Sequence, residues 1–155
     1  YQRHYGLVTG GGFQLSTYHA LLSSGGMSGR EGADGSEDLV YRISTAEEWE
    51  LLQKTGSTFG GDLDRTTGFI HLSKLHQVLP TLLNFFLNAK DDLYLLRIDA
   101  KKLGDGLVYE AVDDTNVFPH FYGPSRSFSP LPLDAVIKGE KLVVSDGKFV
   151  CSMLS

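Results

Sequence analysis

The sequence predicts a single α+β domain over residues 39–151, a mixed β-sheet with flanking helices. Three observations predict it. Apolar residues make up 41% of the chain and charged residues 21%, inside the globular range and away from disorder. The hydrophobic periods run strand, helix, strand, helix and then mostly strands, an order that suits α+β better than a doubly wound parallel sheet. With 155 residues the chain can bury one hydrophobic core, not two of ordinary size.

Residues 1–38 read differently. Gly10, Gly11 and Gly12, then Ser23 to Gly26, interrupt any periodicity, and Ser28 to Asp38 is small, polar and acidic. Such a composition does not repay the entropy of ordering it, so the segment is expected to be flexible. Position 1 is not Met, and residues 1–26 are read as an extension ahead of a natural start at Met27. Residues 152–155 are read as a tail.

Leu39 to Ile43 is rich in β-formers and reads as the first strand. Thr45 with Glu48 makes a capping box before Trp49, Leu51 and Leu52, and Gly56 is a suitable stop, so a helix follows. Residues 57–67 read as a loop. Phe69 to Ser73 is the next strand, with Phe69, His71 and Ser73 on one face by its period of two. From Leu75 the period becomes helical: Leu75, Val78, Leu79, Leu82, Leu83 and Phe86 form one apolar stripe, with a kink or a break expected at Pro80. Leu93 to Ile98 is apolar on both faces and reads as a central strand. After a turn over 99–106, Leu107 to Val112 is another strand. Val117 to Gly123 reads as an aromatic loop stiffened by Pro119. Pro132 to Val136 suits a brief helical turn. Val136–Ile137, Leu142–Val144 and Phe149–Cys151 are short strands, divided by Gly139 and by the Asp146–Gly147 turn.

The composition narrows the function. A formal charge of -5, from 14 basic and 19 acidic residues, leaves no extended surface for nucleic acid. A single cysteine, Cys151, rules out an internal disulfide and a Cys-rich zinc site, and suits a reducing compartment. No membrane span or lipidation motif is visible, so a cytoplasmic protein is expected. The five histidines are not spaced as a metal cluster, and no metal is expected. Nucleotide-loop, serine-elbow and metalloprotease signatures are absent.

What stands out is His71 with Ser73, two hydrogen-bonding side chains on one strand face just before a helix. Imidazole donates or accepts near neutral pH, and the helix start offers unpaired N–H groups that suit phosphate. A structural histidine with a capping serine is the other reading of the same residues. Arg42 could set its planar donor fork on a phosphate or carboxylate, and Glu110 could stabilise a cationic centre. Each also reads as an ordinary strand residue. His120 and Tyr122 belong to the aromatic segment, which suits covering a ring or a sugar or plugging the end of the core.

Val40-Tyr41-Arg42-Ile43, Gly68 to Ser73, Gln77, Asp91-Asp92-Leu93, Leu95-Leu96, Tyr109-Glu110, Phe118 to Gly123 and Leu131 to Val136 together resemble the family known as domain of unknown function 952 (DUF952). The match covers nearly all of residues 40–138. That family in turn resembles the ADP-ribosyltransferase superfamily, whose members use NAD. Arg42, Ser73 and Glu110 resemble the pattern of one class of that superfamily, which carries Arg on its first core strand, Ser on the next and Glu on a later one. His71-Leu72-Ser73 also resembles the His-x-His-x-Ser strand of the RNA 2'-phosphotransferases, with Phe69 in place of the first His. Val108 stands where arginine-directed transferases carry the first Glu of Glu-x-Glu.

The resemblance implies an ADP-ribosyltransferase-like fold and an NAD-using transferase or NAD hydrolase. Glu110 and His71 would be catalytic, and Tyr41, Arg42, His71, Ser73, His120 and Tyr122 would bind the nucleotide. A non-catalytic small-molecule or ADP-ribose-type binding module is the alternative, and a protein-interaction domain a third.

Overall fold

The computed structural model describes residues 38–154, so the expected flexible segment lies outside the described residues apart from Asp38. Strand β1 (Leu39–Thr45) leads into helix α1 (Ala46–Thr55). Thr45 Oγ1 caps the helix by accepting the Glu48 N–H at 3.1 Å, and Gly56 ends it in the left-handed conformation with φ +91°.

The stretch 57–67 is not a plain loop. It holds strand β2 (Ser57–Thr58) and helix α2 (Asp62–Thr67). Six residues are too few to show a helical period, and α2 is held instead by its caps. The Asp64 side chain accepts the Gly61 N–H at 2.8 Å, and Gly68 closes the end at φ +90°.

Strand β3 (Ile70–His71) precedes helix α3 (Leu75–Phe85), which runs through Pro80 as one element. The carbonyl that loses its helical bond to Pro80 belongs to His76, an exposed residue. The expected stripe is also rotated. Val78, Leu82 and Phe85 are buried together with Gln77 and Thr81, while Leu75, Leu79 and Leu83 are 42%, 41% and 42% exposed. Two polar residues go inside because they are paired. Gln77 accepts the Lys74 N–H and donates to the Val117 carbonyl, each at 2.9 Å, and Thr81 donates to the Gln77 carbonyl at 2.8 Å.

Strand β4 (Leu93–Asp99) is central, as its apolar faces require. Helix α4 (Ala100–Leu103) and a 3-10 turn (Gly104–Gly106) lead to strand β5 (Leu107–Ala111). The aromatic segment, expected as a loop, is strand β6 (Val117–Phe121), paired with β5 on one side and β3 on the other. Pro119 is tolerated there because it gives the ladder only its carbonyl, which accepts the Leu72 N–H at 3.2 Å. Strands β7 (Leu131–Pro132), β8 (Val136–Ser145) and β9 (Lys148–Val150) complete the chain. Gly139 does not divide β8. Any Cβ there would stand 2.6 Å from Trp49, so the glycine lets the indole lie on a continuous strand. Ser152–Leu154 forms a 3-10 turn with Met153 buried.

Every strand pairing among the described residues is antiparallel, so the mixed sheet expected from the sequence is an antiparallel one. One ladder runs β1-β4-β8-β9 and another β3-β6-β5, with β2-β7 a short third. Among the described residues a single bridge joins the two larger ladders: Tyr41 and Ser73 exchange N–H to carbonyl bonds, both at 2.8 Å. The core lies on both faces of the first ladder. Tyr41, Ile43, Leu93 and Leu95 pack on α3 through Val78, Leu82 and Phe85. Val40, Leu96 and Ile98 pack on the other face with Leu52, Leu131 and Ala135. No helix among the described residues is long and apolar enough to cross a membrane.

Candidate functional site

The β3-β6-β5 ladder builds the site by register. His71 lies opposite His120, His120 opposite Val108, and Phe118 opposite Glu110. Strand alternation therefore puts His71, His120 and Glu110 on one face, with Phe69 and Tyr122 two residues along the chain from the histidines. The two imidazoles meet edge to face, with ring centroids 5.7 Å apart. The Phe69 ring stacks on His120 at 4.1 Å and tilts against His71 at 4.5 Å.

Each histidine is held by its own carboxylate. Asp64 Oδ1 accepts from the backbone N–H of His71 and from its Nδ1, both at 2.8 Å. Asp64 also faces Arg42, whose Nη1 and Nη2 reach Oδ1 and Oδ2 at 3.1 and 3.0 Å. Burial alone would raise the Asp64 carboxyl. The Arg42 guanidinium and the His71 bond override it and hold the acid well below the usual carboxylate range. An ionised Asp64 only accepts, so His71 donates to it from Nδ1. Gly60 makes room for this carboxylate. It sits at φ +75°, and a Cβ there would collide with Asp64 Oδ2.

Glu110 Oε1 accepts from His120 Nδ1 at 2.6 Å and from the Tyr122 hydroxyl at 2.8 Å, and Oε2 accepts from Arg126 Nη2. Burial pushes the Glu110 carboxyl up, but these three donors together lower it below its ordinary value. His120 is pushed down to about 4, first by burial and then by the neighbouring His71, against the opposing pull of Glu110. At neutral pH the pair is thus a carboxylate and a neutral imidazole donating from Nδ1. Burial and the Glu110 carboxylate raise Tyr122 to about 12, which keeps its proton in place.

Of the residues singled out in the sequence, the structure brings His71, His120, Glu110 and Tyr122 together. Ser73 lies two residues past His71, beyond the end of β3, buried at the bridge to Tyr41. Tyr41 is buried in the apolar core, with the Arg97 guanidinium 6.0 Å above its ring. Arg42 alternates to the face of Val40 and spends all five of its N–H groups inside the protein. Nε and Nη2 bind Glu48, each at 2.9 Å, Nη1 and Nη2 bind Asp64, and Nη1 also donates to the His71 carbonyl at 3.1 Å. Its guanidinium supports Asp64 and does not join Glu110.

Sequence reasoning missed Asp64 and Arg126. The Gly60-Gly61 pair ahead of Asp64 was the available signal, a backbone opened for close approach. Arg126 stands in a Ser- and Pro-rich stretch with no periodicity to mark it. Among the described residues no group of three or more His, Cys, Asp or Glu side chains is arranged to hold a metal ion.

Residues 43–139 match the family described as Protein of unknown function (DUF952). The chain is similar to the X-ray structure of protein CC0527 from Caulobacter crescentus, at 31% identity and a TM-score of 0.63, over 72% of this chain and 93% of that one. The solution NMR structure of CC0527 is similar at 29% identity and a TM-score of 0.60, over 72% and 90% of the two chains. No match is found among curated proteins. The chain belongs to the DUF952 family of proteins of unknown function.

Proposed function

We propose that the face carrying Phe69, His71, His120 and Glu110 takes an NAD-type nucleotide as substrate and breaks its N-glycosidic bond. The ADP-ribosyl group would pass to an acceptor or to water. The observation that carries this reading is the Glu110 carboxylate, ionised and on the same sheet face as His71 and His120.

The chemistry needs such a group. The bonding pair of the ribose–nicotinamide bond leaves with nicotinamide, and positive charge develops on the ribose ring. A carboxylate fixed in place beforehand stabilises that charge without reorganising, usually the largest catalytic contribution. Three donors fix Glu110. His71 and His120 stand beside it on the same sheet face, and Phe69 offers a flat apolar ring. The fit is partial. Arg42, expected to take the pyrophosphate, is committed to Glu48, Asp64 and the His71 carbonyl, so the phosphates need another cation. On this reading the fold is ADP-ribosyltransferase-like, supported by two antiparallel ladders joined at one bridge.

A second reading, a nucleotide-binding module without turnover, is favoured by the closure of the site: His71 is 2% and His120 3% exposed. Both are tested by incubating the protein with NAD, ADP-ribose, glutathione and a short phosphorylated RNA, with binding and products followed together. Nicotinamide release from NAD supports the enzyme. Binding of NAD or ADP-ribose with no product supports the module, and no binding of either overturns both.

A further inference from the structure

A cleft of about 650 Å³ opens at the end of the β5–β6 pair, a volume ordinary for a small-molecule site. Two of its lining residues, Tyr122 and Arg126, are also the groups that hold Glu110, so the cleft borders the cluster described above. Leu103, Val108 and Phe121 supply an apolar wall, and Asp105 stands among them.

Arg126 is built into this position at some cost. Ser125 and Arg126 are consecutive non-glycine residues at φ +57° and +59°, the left-handed region that side chains disfavour. The turn carries the Arg126 guanidinium to Glu110 and onto the Tyr122 ring, 4.4 Å from its centroid. Among the described residues its hydrogen bonds, to Glu110 and to the Tyr122 hydroxyl, all use Nη2. Nε and Nη1 keep donors of their own, each able to give a single charge-assisted bond to an anion oxygen. The side chain is 57% exposed, so these donors are reachable.

We propose that this cleft is the phosphate-and-ribose subsite of a nucleotide, with Arg126 as its anion receptor. Asp105 decides the class. Its carboxylate repels a bare phosphate but accepts from a ribose diol, and the apolar wall suits a flat base. A ribose phosphate carrying its base satisfies all three; inorganic phosphate satisfies one. The proposal rests on the nucleotide reading of the neighbouring site and supplies the cation that Arg42 does not.

The probes are adenosine monophosphate and adenosine, titrated by calorimetry and by amide NMR. Adenosine monophosphate is expected to shift the amides of Gly106, Gly123 and Ser125 in the unmodified protein. Arg126→Gln should weaken it at least tenfold and leave adenosine within twofold, while Arg126→Lys recovers part of the loss. Asp105→Asn should weaken both probes. Shifts elsewhere, or equal affinity in Arg126→Gln, overturn the subsite. The two proposals fail separately. An Arg126-dependent nucleotide site with no nicotinamide release leaves the subsite standing and removes the enzyme. Nicotinamide release with an unchanged KM in Arg126→Gln does the reverse.

Discussion

Arg42 and Asp64 meet end to end, Nη1 on Oδ1 at 3.1 Å and Nη2 on Oδ2 at 3.0 Å, with both side chains buried. The pair joins strand β1 to helix α2 and, through Asp64, to His71. Removing one member of a buried ion pair leaves an uncompensated charge, at a cost of about 3–5 kcal/mol. Asp64→Asn is therefore expected to lower unfolding free energy by that amount in urea. Arg42→Lys should cost nearly as much, because an ammonium cannot reproduce two forks and a carbonyl bond. In the folded fraction either variant should alter nucleotide affinity far less than stability. A large affinity loss with unchanged stability would return Arg42 to the role of ligand contact.

Gly60→Ala is predicted to destabilise by about 1–3 kcal/mol, since the residue combines φ +75° with the approach of Asp64 Oδ2. Combining it with Asp64→Ala, which removes the carboxylate, should recover part of the loss. Thermal unfolding of the single and double variants checks this, and strict additivity would show that the two sites are independent.

Stability should fall with pH in two separate windows. His120 is held at about 4, against about 6.5 for an unfolded histidine, so between these values the unfolded chain binds the extra proton. Its contribution is complete above about 6.5, is lost as the pH falls towards 4, and amounts to about 3 kcal/mol. Asp64 is lowered, so its contribution is present above the unfolded carboxylate value of about 3.9 and disappears only below it. Urea unfolding at several pH values should show the upper window, and His120→Gln should flatten it. A slope unchanged by that substitution would place the titration on another group.

Local signals in the sequence were read well and long-range ones poorly. Thr45 and Gly56 announced α1 because caps act within a few residues, and the apolar run from Leu93 announced a central strand. The strand around Pro119 was missed because proline argues against a central strand, and only the β3 partner shows that its carbonyl suffices. The stripe of α3 was misjudged because Gln77 and Thr81 find partners inside, which turns Leu75, Leu79 and Leu83 outwards. At the site, His71 lies in β3 while Ser73, expected on the same strand, falls beyond its end at the bridge to Tyr41. Asp64 was invisible because its partners, Arg42 and His71, lie 22 and 7 residues away. The use of Arg42 was misread for the same reason: a guanidinium free in the sequence is fully engaged in the fold.

The most direct test of the central claim is the rate of nicotinamide release from NAD by the unmodified protein and by Glu110→Gln, measured beside NAD affinity in both. Gln keeps a carbonyl oxygen for the donors of His120 and Tyr122 but carries no negative charge. The account predicts that NAD affinity stays within a few-fold while turnover falls about 100-fold or more, because the carboxylate acts on charge that exists only in the transition state. No nicotinamide release by the unmodified protein, or equal release by both, would contradict it.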